Sequence, residues 1–252
     1  MASWLIYPLS IADQQVHIDQ SERLLSSAQA GDPAVLYWSL AEPTGIVLGF
    51  SQKPVVVNPA ILASGTLPIY HRRAGGTAVL VGPGLLSLDV VLPAGHPLIL
   101  ADIVESYRWF GVAWVQTLRA FGVETRMVSP DEAHAQQALR RQPTTREYEL
   151  LLQRSCYGSL SPYEVVAGNR KIVGFDMVRR RSGSLLQAGL LLQWDTPLLA
   201  QLLGHTPAEQ DLLREGLAER AVGLDTLIGS PLEINDLIRM FEKVVIATTF
   251  AE

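Results

Sequence analysis

The stretch that decides the fold is Tyr163-Glu164-Val165-Val166-Ala167-Gly168-Asn169-Arg170-Lys171-Ile172-Val173-Gly174-Phe175. Two short apolar runs flank Ala167-Gly168-Asn169, and glycine and asparagine are residues that tight turns between antiparallel strands prefer. The stretch therefore predicts a β-hairpin. It also carries a lysine, Lys171, just beyond the turn.

The segments on either side of this hairpin predict further strands in the middle of the chain and helices towards both ends. Strands are expected at 34–39, 45–49, 68–73, 85–92 and 184–192. Helices are expected near 12–30, 103–121, 196–204, 206–221 and 231–246. The segment 85–92 alternates in the manner of a strand with one face in water.

Because the strands cluster without regular alternation with helices, the pattern predicts an α+β fold. We expect a single domain over 1–252, in which a mixed, largely antiparallel sheet is flanked by helices. The polar residues 129–146 predict a mobile or helical surface insert, which leaves open whether they form a lid. Arg179-Arg180-Arg181, followed by Ser182-Gly183, predicts a turn.

Composition excludes several classes of protein. The chain has 252 residues, of which 48% are hydrophobic and 18% charged, so a sizeable core is expected and a disordered chain is excluded. The net charge of -5 argues against a broad nucleic-acid surface. One cysteine cannot form an internal disulfide. No basic start precedes an apolar run, and no run approaches the ~20 residues that span a bilayer, so we expect a cytoplasmic protein without a membrane partner.

The first candidate site is Arg72-Arg73-Ala74-Gly75-Gly76-Thr77-Ala78-Val79-Leu80. Glycines allow a ligand to approach the backbone closely, free N–H groups in such a turn bind anions, and arginine is a forked donor for carboxylate or phosphate. The alternative is a plain hairpin turn with surface arginines.

The second candidate is Cys156 with Lys171. Cys156 lies in the polar segment Arg154-Ser155-Cys156-Tyr157, and a nearby cation lowers the pKa of a thiol. The alternative is an incidental free thiol and a solvated lysine. The five histidines are scattered, so no metal site is expected.

Four segments together resemble the lipoate–protein ligase and octanoyltransferase family, which shares its catalytic fold with biotin–protein ligases. Ile18-Asp19-Gln20-Ser21-Glu22-Arg23-Leu24-Leu25 resembles the opening helix of that family, and Leu48-Gly49-Phe50-Ser51-Gln52 resembles a strand end. The segment 72–79 resembles the Arg-Arg-x-x-Gly-Gly signature. Gly168-Asn169-Arg170-Lys171-Ile172-Val173-Gly174 resembles the lysine loop.

The resemblance implies roles for individual residues. Lys171 would contact the acyl carbonyl, and apolar strand residues would form a tunnel for a medium-length acyl chain. The residues implied to line the substrate pocket are Arg73, Gly75, Gly76, Thr77, Ala78, Val79, Leu80 and Gly174.

One branch of the family carries a nucleophilic cysteine just upstream of the lysine, where this chain has Cys156. The implied function is acyl transfer: an octanoyl or lipoyl group moves from a thioester on acyl carrier protein or a lipoyl domain, through Cys156, to a lysine of a lipoyl carrier domain. That carrier would be glycine cleavage H protein or a dehydrogenase E2 subunit. Lys171 would favour the thiolate and stabilise the oxyanion, and no cofactor or metal would be needed.

Two alternatives stay open. One is a lipoate–protein ligase that uses ATP and magnesium to make a lipoyl-adenylate, with Cys156 as a bystander. The other is a non-catalytic lipoyl-binding subunit. The family's third glycine is replaced by Thr77 and its two histidines by Val81 and Ala188, which weakens a standard ligase reading. Arg179-Arg180-Arg181 is either a solvated loop or a docking surface for an acidic carrier.

Overall fold

Two β-sheets and a set of helices make up the computed structural model, which describes residues 3–229 and 232–249. The strands are β1 (Trp4–Ala12), β2 (Ala34–Ala41), β3 (Gly45–Leu48), β4 (Ile69–His71), β5 (Val79–Val81), β6 (Leu85–Pro93), β7 (Arg126–Met127), β8 (Val165–Ala167), β9 (Arg170–Arg180) and β10 (Gly183–Leu191). The helices are α1 (Gln14–Ser27), α2 (Pro59–Ser64), α3 (Arg108–Ala120), α4 (Pro130–Leu139), α5 (Arg146–Leu152), α6 (Thr196–Leu203), α7 (Pro207–Arg220) and α8 (Ile234–Thr249).

The larger sheet has the strand order β1-β2-β6-β10-β9-β8-β7, and a smaller sheet has the order β4-β3-β5. In the larger sheet only β1 and β2 pair in parallel, and its other pairs are antiparallel. The predicted α+β class with a mixed, largely antiparallel sheet is therefore confirmed.

The predicted hairpin is formed by β8 and β9 of the larger sheet. Ala167 of β8 pairs with Arg170 of β9, which leaves Gly168 and Asn169 as a two-residue turn. Gly168 has a φ of 59°, in the left-handed region that glycine adopts without strain. Because the turn is this short, Lys171 is the second residue of β9.

The core lies on one face of the larger sheet. Leu36 and Trp38 of β2 and Leu88 of β6 pack there against α3 and α8, and all three are buried. The other face of β6 is also covered, because α1 contacts β6, β2 and β10. The expectation that 85–92 has one face in water is therefore wrong: apart from the half-buried Ser87, every residue of β6 is buried.

Two other expectations need correction. The α-helix expected from Ile103 begins at Arg108, after a short 3₁₀ turn, and Ile103 is 52% exposed. Arg179 and Arg180 belong to β9, so the expected turn is confined to Arg181 and Ser182. The N-terminal strand β1 was not expected.

The insert at 129–146 is helical in the structure. Ser129 caps α4 reciprocally with Glu132: the serine hydroxyl accepts from the Glu132 N–H, and the Glu132 carboxylate accepts from the Ser129 N–H. The helix expected at 231–246 is α8, although residue 231 lies outside the described residues.

Candidate active site

Cys156 is held at the first position of a 3₁₀ turn, Cys156–Gly158, by the glycine-rich loop that follows β4. The N–H of Cys156 donates to the carbonyl of Ala78 at 2.8 Å, and the N–H of Ala78 donates to the carbonyl of Arg154 at 3.1 Å. These two backbone bonds join the segments that the sequence singled out separately. The half-buried thiol consequently lies beside the start of β5.

Lys171 is almost completely buried, with 1% of its side chain exposed, and it pairs with the equally buried Glu164 at 2.7 Å. Its ammonium also donates to the carbonyl oxygen of Cys156 at 2.9 Å. Glu164 in turn accepts from the backbone N–H groups of Ser161 and Phe175. Because a buried charge is stable only when it is paired and hydrogen-bonded, this arrangement fixes the lysine next to the cysteine.

The pKa of the Cys156 thiol reflects opposing influences. Burial raises it, the ammonium of Lys171 lowers it, and the carboxylate of Glu164 raises it again. The net direction is upward, because the lysine charge is opposed by desolvation and by its own partner. Lys171 therefore lowers the pKa of the thiol, but burial and Glu164 raise it by more.

A first cavity, which we call the α1 cavity, lies between α1, the small sheet and the larger sheet and has a volume of about 100 Å³. Its lining residues are Gln14, His17, Ile18, Ser21, Ser39, Val47, Arg72, Val79, Val81, Leu85, Ser87, Asp89, Cys156, Tyr157, Gly174, Phe175, Asp176, Gln187, Ala188 and Gly189.

The α1 cavity has both apolar and polar walls. Cys156 packs with Val79, Val81 and Leu85 in one apolar cluster. The wall provided by the larger sheet is mixed, because polar side chains of Ser39, Ser87, Asp89 and Gln187 lie there beside the apolar Leu85, Phe175 and Ala188. The tunnel expected to be formed by apolar strand residues thus includes polar side chains.

A second opening, which we call the Lys171 cleft, meets the first at Cys156. It is lined by Lys171 and Glu164, and on the side of α4 by Gln137, with Arg140 just beyond the helix end. Cys156 therefore borders two spaces, one leading to the sheet and one leading past the lysine.

The expected pocket arginine lies elsewhere. Arg73 is 65% exposed and pairs with Glu22 on the outer surface at 3.7 Å, so it does not line the α1 cavity. Its neighbour Arg72 lines that cavity, pairs with Asp176 at 3.1 Å, and donates to the carbonyl of Thr77 at 3.0 Å. Of the arginine pair, it is therefore Arg72 and not the expected Arg73 that lines the α1 cavity.

The other expected lining residues are divided among different places. Val79 and Gly174 line the α1 cavity, whereas Gly76 and Thr77 line the Lys171 cleft. The remaining three lie outside the linings of both. Ala78 is buried and holds Cys156 through its backbone, Leu80 packs into a core cluster containing residues of α6 and α7, and Gly75 borders neither space.

Some residues of the site were not expected from the sequence. The sequence places Glu164 in the predicted hairpin without indicating a role for it, and the structure makes it the partner of Lys171. Tyr157 donates from its hydroxyl to the carbonyl of Gly189 at 2.6 Å, and its ring lies 5.4 Å from the Lys171 ammonium. Asp89 alternates with apolar residues along β6, a signal that was attributed to contact with water.

Two features are absent from the described part of the chain. Within residues 3–229 and 232–249, no group of three or more His, Cys, Asp or Glu side chains is arranged to hold a metal ion. None of the helices in those ranges combines the length and the apolar character that crossing a bilayer requires.

Fold and site together define an enzyme domain in which a buried lysine and a cysteine share one centre. The chain belongs to the family of the lipoyl protein ligase A/B catalytic domain, whose model matches residues 13–246. The family suggested by the four sequence segments is therefore confirmed, and the family implies lipoyl carrier domains as the proteins on which such enzymes act.

Curated relatives carry the name octanoyltransferase LipM. The protein from Brevibacillus brevis is 24% identical over 229 residues, which cover 90% of this chain and 79% of the relative. That from Kyrpidia tusciae is 27% identical over 217 residues, covering 85% and 75%. That from Staphylococcus aureus is 24% identical over 246 residues, covering 96% and 85%.

Solved structures share the fold. A bipartite lipoate protein ligase from Thermoplasma acidophilum, studied with its E2 lipoyl domain, superposes with a TM-score of 0.76 at 18% identity, covering 99% of this chain and 84% of that chain. A lipoate–protein ligase A bound with ATP superposes with a TM-score of 0.71 at 18% identity, covering 99% and 86%. At these identities the likeness supports the fold alone.

Proposed function

We propose that this enzyme transfers a medium-chain acyl group of the octanoyl or lipoyl kind from a thioester to a lysine of a lipoyl carrier domain, with Cys156 as the nucleophile. The relatives named octanoyltransferase support the reaction class. The single observation that carries the proposal is the position of Cys156, which borders both the α1 cavity and the Lys171 cleft.

In the first step, the Cys156 sulfur attacks the carbonyl carbon of the donor thioester. A new C–S bond forms to Cys156, the bond to the donor sulfur breaks, and the thiol proton leaves on the departing donor thiol. Lys171 stabilises the oxyanion: two donor positions of its ammonium are used by Glu164 and the Cys156 carbonyl, and an ammonium has three. The third is available to the developing negative charge.

In the second step, the ε-amine of the acceptor lysine attacks the acyl-enzyme. A C–N bond forms, the bond to Cys156 breaks, and one amine proton returns to the sulfur. The product amide is more stable than the thioester, so the transfer proceeds without ATP or a metal. We propose octanoyl acyl carrier protein or an acylated lipoyl domain as donor, and glycine cleavage H protein or a dehydrogenase E2 lipoyl domain as acceptor.

The decisive experiment is intact-protein mass spectrometry after incubation with octanoyl acyl carrier protein in the absence of nucleotide. We expect the mass of the wild-type enzyme to rise by one octanoyl group, and we expect neutral hydroxylamine to remove it, as it removes thioesters. Cys156→Ser abolishes the hydroxylamine-sensitive adduct. Ser155→Ala is the matched control, because the Ser155 hydroxyl is buried without a hydrogen-bond partner in the described structure.

Three outcomes would contradict the proposal in different ways. Full transfer activity in Cys156→Ser would exclude the cysteine as nucleophile. Acceptor modification that requires free lipoate, ATP and magnesium would identify a ligase, with the Lys171 cleft as the place to look for the adenylate. Binding of an acyl group without transfer from either source would identify a non-catalytic subunit.

A further inference from the structure

The Lys171 cleft is larger than the α1 cavity, with a volume of about 330 Å³ against about 100 Å³. Much of its lining can form hydrogen bonds with a ligand. The side chains with this capacity include Thr77, Gln137, Arg140, Gln153, Ser159 and Ser161. The acids of the lining are already paired, Glu164 with Lys171 and Asp176 with Arg72. The cleft therefore presents amides and hydroxyls together with the guanidinium of Arg140.

Arg140 has no acidic partner among the residues that the structure describes. Its side chain is half-buried just beyond the end of α4. Its Nε donates to the carbonyl of Gln137 at 3.4 Å, and no carboxylate within the described ranges pairs with the guanidinium. The other N–H groups of a guanidinium form a fork that fits a phosphate. Because Arg140 lines the cleft, an anion that enters the cleft can bind this fork.

A hydrogen bond ties the helix before Arg140 to the segment that carries Cys156. The N–H of Leu160, just after the 3₁₀ turn that begins at Cys156, donates to the side-chain oxygen of Gln136 in α4 at 2.5 Å. This bond fixes α4 against the cleft. The helical insert at 129–146 thus forms one wall of the space that leads to the thiol, and Arg140 has a defined place on that wall.

The neutral polar side chains of the cleft are also available to a ligand. Gln137, Gln153 and Ser159 are half-buried, and none of these side chains forms a hydrogen bond within the described part of the chain. A side-chain amide both donates and accepts, so it matches an amide group of a ligand. The apolar Val104 and Phe175 belong to the same lining. The cleft therefore suits a molecule that joins aliphatic segments through amides and carries a negative charge.

We propose that the Lys171 cleft binds the arm of the donor thiol, a phosphopantetheine group, with Arg140 at its phosphate and the neutral polar side chains at its amides. The inference rests on the proposed acyl transfer and deepens it by assigning the two spaces that meet at Cys156. The acyl chain takes the α1 cavity, where the thiol packs in an apolar cluster. The arm on which an acyl carrier protein presents its thioester takes the cleft. When the donor thiol has left with its arm, the same cleft is open to the acceptor lysine.

The test uses octanoyl thioesters of N-acetylcysteamine, pantetheine and phosphopantetheine, a series that adds first the rest of the amide arm and then the phosphate. Acyl-enzyme formation is followed by intact mass over a range of donor concentrations. A hydrogen bond to a charged group is among the stronger ones, so we expect kcat/KM for acylation to rise about tenfold or more from pantetheine to phosphopantetheine. Arg140→Gln removes the charge and reduces this preference to about twofold or less. Arg140→Lys keeps the charge without the fork, and its preference lies between the two.

The matched control is Arg141→Gln, since Arg141 is the exposed neighbour of Arg140 and lies outside the lining of the cleft; the phosphate preference is retained there. Equal acylation by the pantetheine and phosphopantetheine thioesters in the wild-type enzyme overturns the inference while leaving acyl transfer intact. An unchanged preference in folded Arg140→Gln does the same, and Arg140→Lys decides if the glutamine variant does not fold.

The remaining outcomes separate the inference from the proposed function. If the enzyme instead needs free lipoate and ATP, and Arg140→Gln raises the KM for ATP, the phosphate bound in the cleft is that of a nucleotide and the donor-arm assignment is wrong. If neither the thioester series nor octanoyl acyl carrier protein acylates Cys156, the proposed function fails together with the inference.

Discussion

At the scale of single residues, the buried pair Lys171–Glu164 determines both the stability and the chemistry of the centre. Removing one partner of such a pair leaves an uncompensated charge inside the protein. We expect Glu164→Gln to lower the free energy of unfolding by about 3–5 kcal/mol, measured by urea denaturation. Glu132→Gln is the matched control, because its pair with Arg126 is largely exposed and should contribute about 1 kcal/mol or less. Equal losses in the two variants would contradict the burial argument.

A second residue-scale prediction concerns the pH dependence of Cys156. The thiolate is the nucleophile, and burial raises the pKa of this thiol above its ordinary value in spite of Lys171. Below that pKa the thiolate fraction grows about tenfold per pH unit, so alkylation by iodoacetamide should keep accelerating from about pH 6 to about pH 9. Lys171→Met removes the influence that lowers the pKa and shifts the profile further upward. A plateau at neutral pH in the wild-type enzyme would show that the lysine outweighs burial.

At the scale of elements, the centre depends on how closely the glycine-rich loop approaches the end of β3. A Cβ atom placed on Gly49 would lie 2.1 Å from the carbonyl oxygen of Gly76, which is a backbone atom and cannot move aside cheaply. We expect Gly49→Ala to displace the loop that holds Cys156 and to lower the rate of acyl-enzyme formation by about tenfold or more. A displacement of the reacting groups by about 1 Å is enough to cause a loss of rate of this size or larger.

The control for this prediction is Gly229→Ala, where an added Cβ meets nothing within 4 Å. It should leave both the acylation rate and the melting temperature unchanged. Wild-type rates in a folded Gly49→Ala variant would mean that the loop adapts and that its close contact with β3 does not position the thiol.

The elements predicted from the sequence were those with local signals. Turn residues and apolar runs located the β8–β9 hairpin, and capping and periodicity located most helices. β1 was missed because Pro8 interrupts it, yet the structure accommodates this proline where the register with β2 shifts between Tyr7 and Ser10. A proline lacks the N–H that a regular ladder needs and is tolerated at such irregularities on edge strands.

The site was predictable only in part, because packing between distant segments decides which residues form it. The resemblance located Cys156 and Lys171, but alternation along β6 could not tell whether its second face meets water or a helix. Only the packing of α1 turns Asp89 from a surface residue into part of a cavity wall. Likewise, nothing local distinguishes Arg72 from Arg73. The choice depends on Asp176, which is 104 residues away from Arg72.

At the scale of the whole molecule, the two faces of the larger sheet have different roles, since one packs the core and the other borders the cavity beside Cys156. One face is the aromatic core, in which the ring of Phe241 from α8 lies 5.4 Å from that of Trp38 and 4.6 Å from that of Trp114. The other face is the wall of the α1 cavity. Changes in the core should therefore alter how much enzyme is folded without altering the rate of the folded molecules.

Phe241→Ala tests this separation. Phe241 is fully buried, so its truncation should lower the free energy of unfolding by about 3–5 kcal/mol, as measured by denaturant titration. The acylation rate per folded molecule, with the folded fraction taken from the same titration, should stay within about twofold of wild type, because distant sites couple weakly. Phe50→Ala, at a ring that is 71% exposed, should change neither quantity. A large loss of rate in fully folded Phe241→Ala would show instead that α8 positions the cavity wall through the sheet.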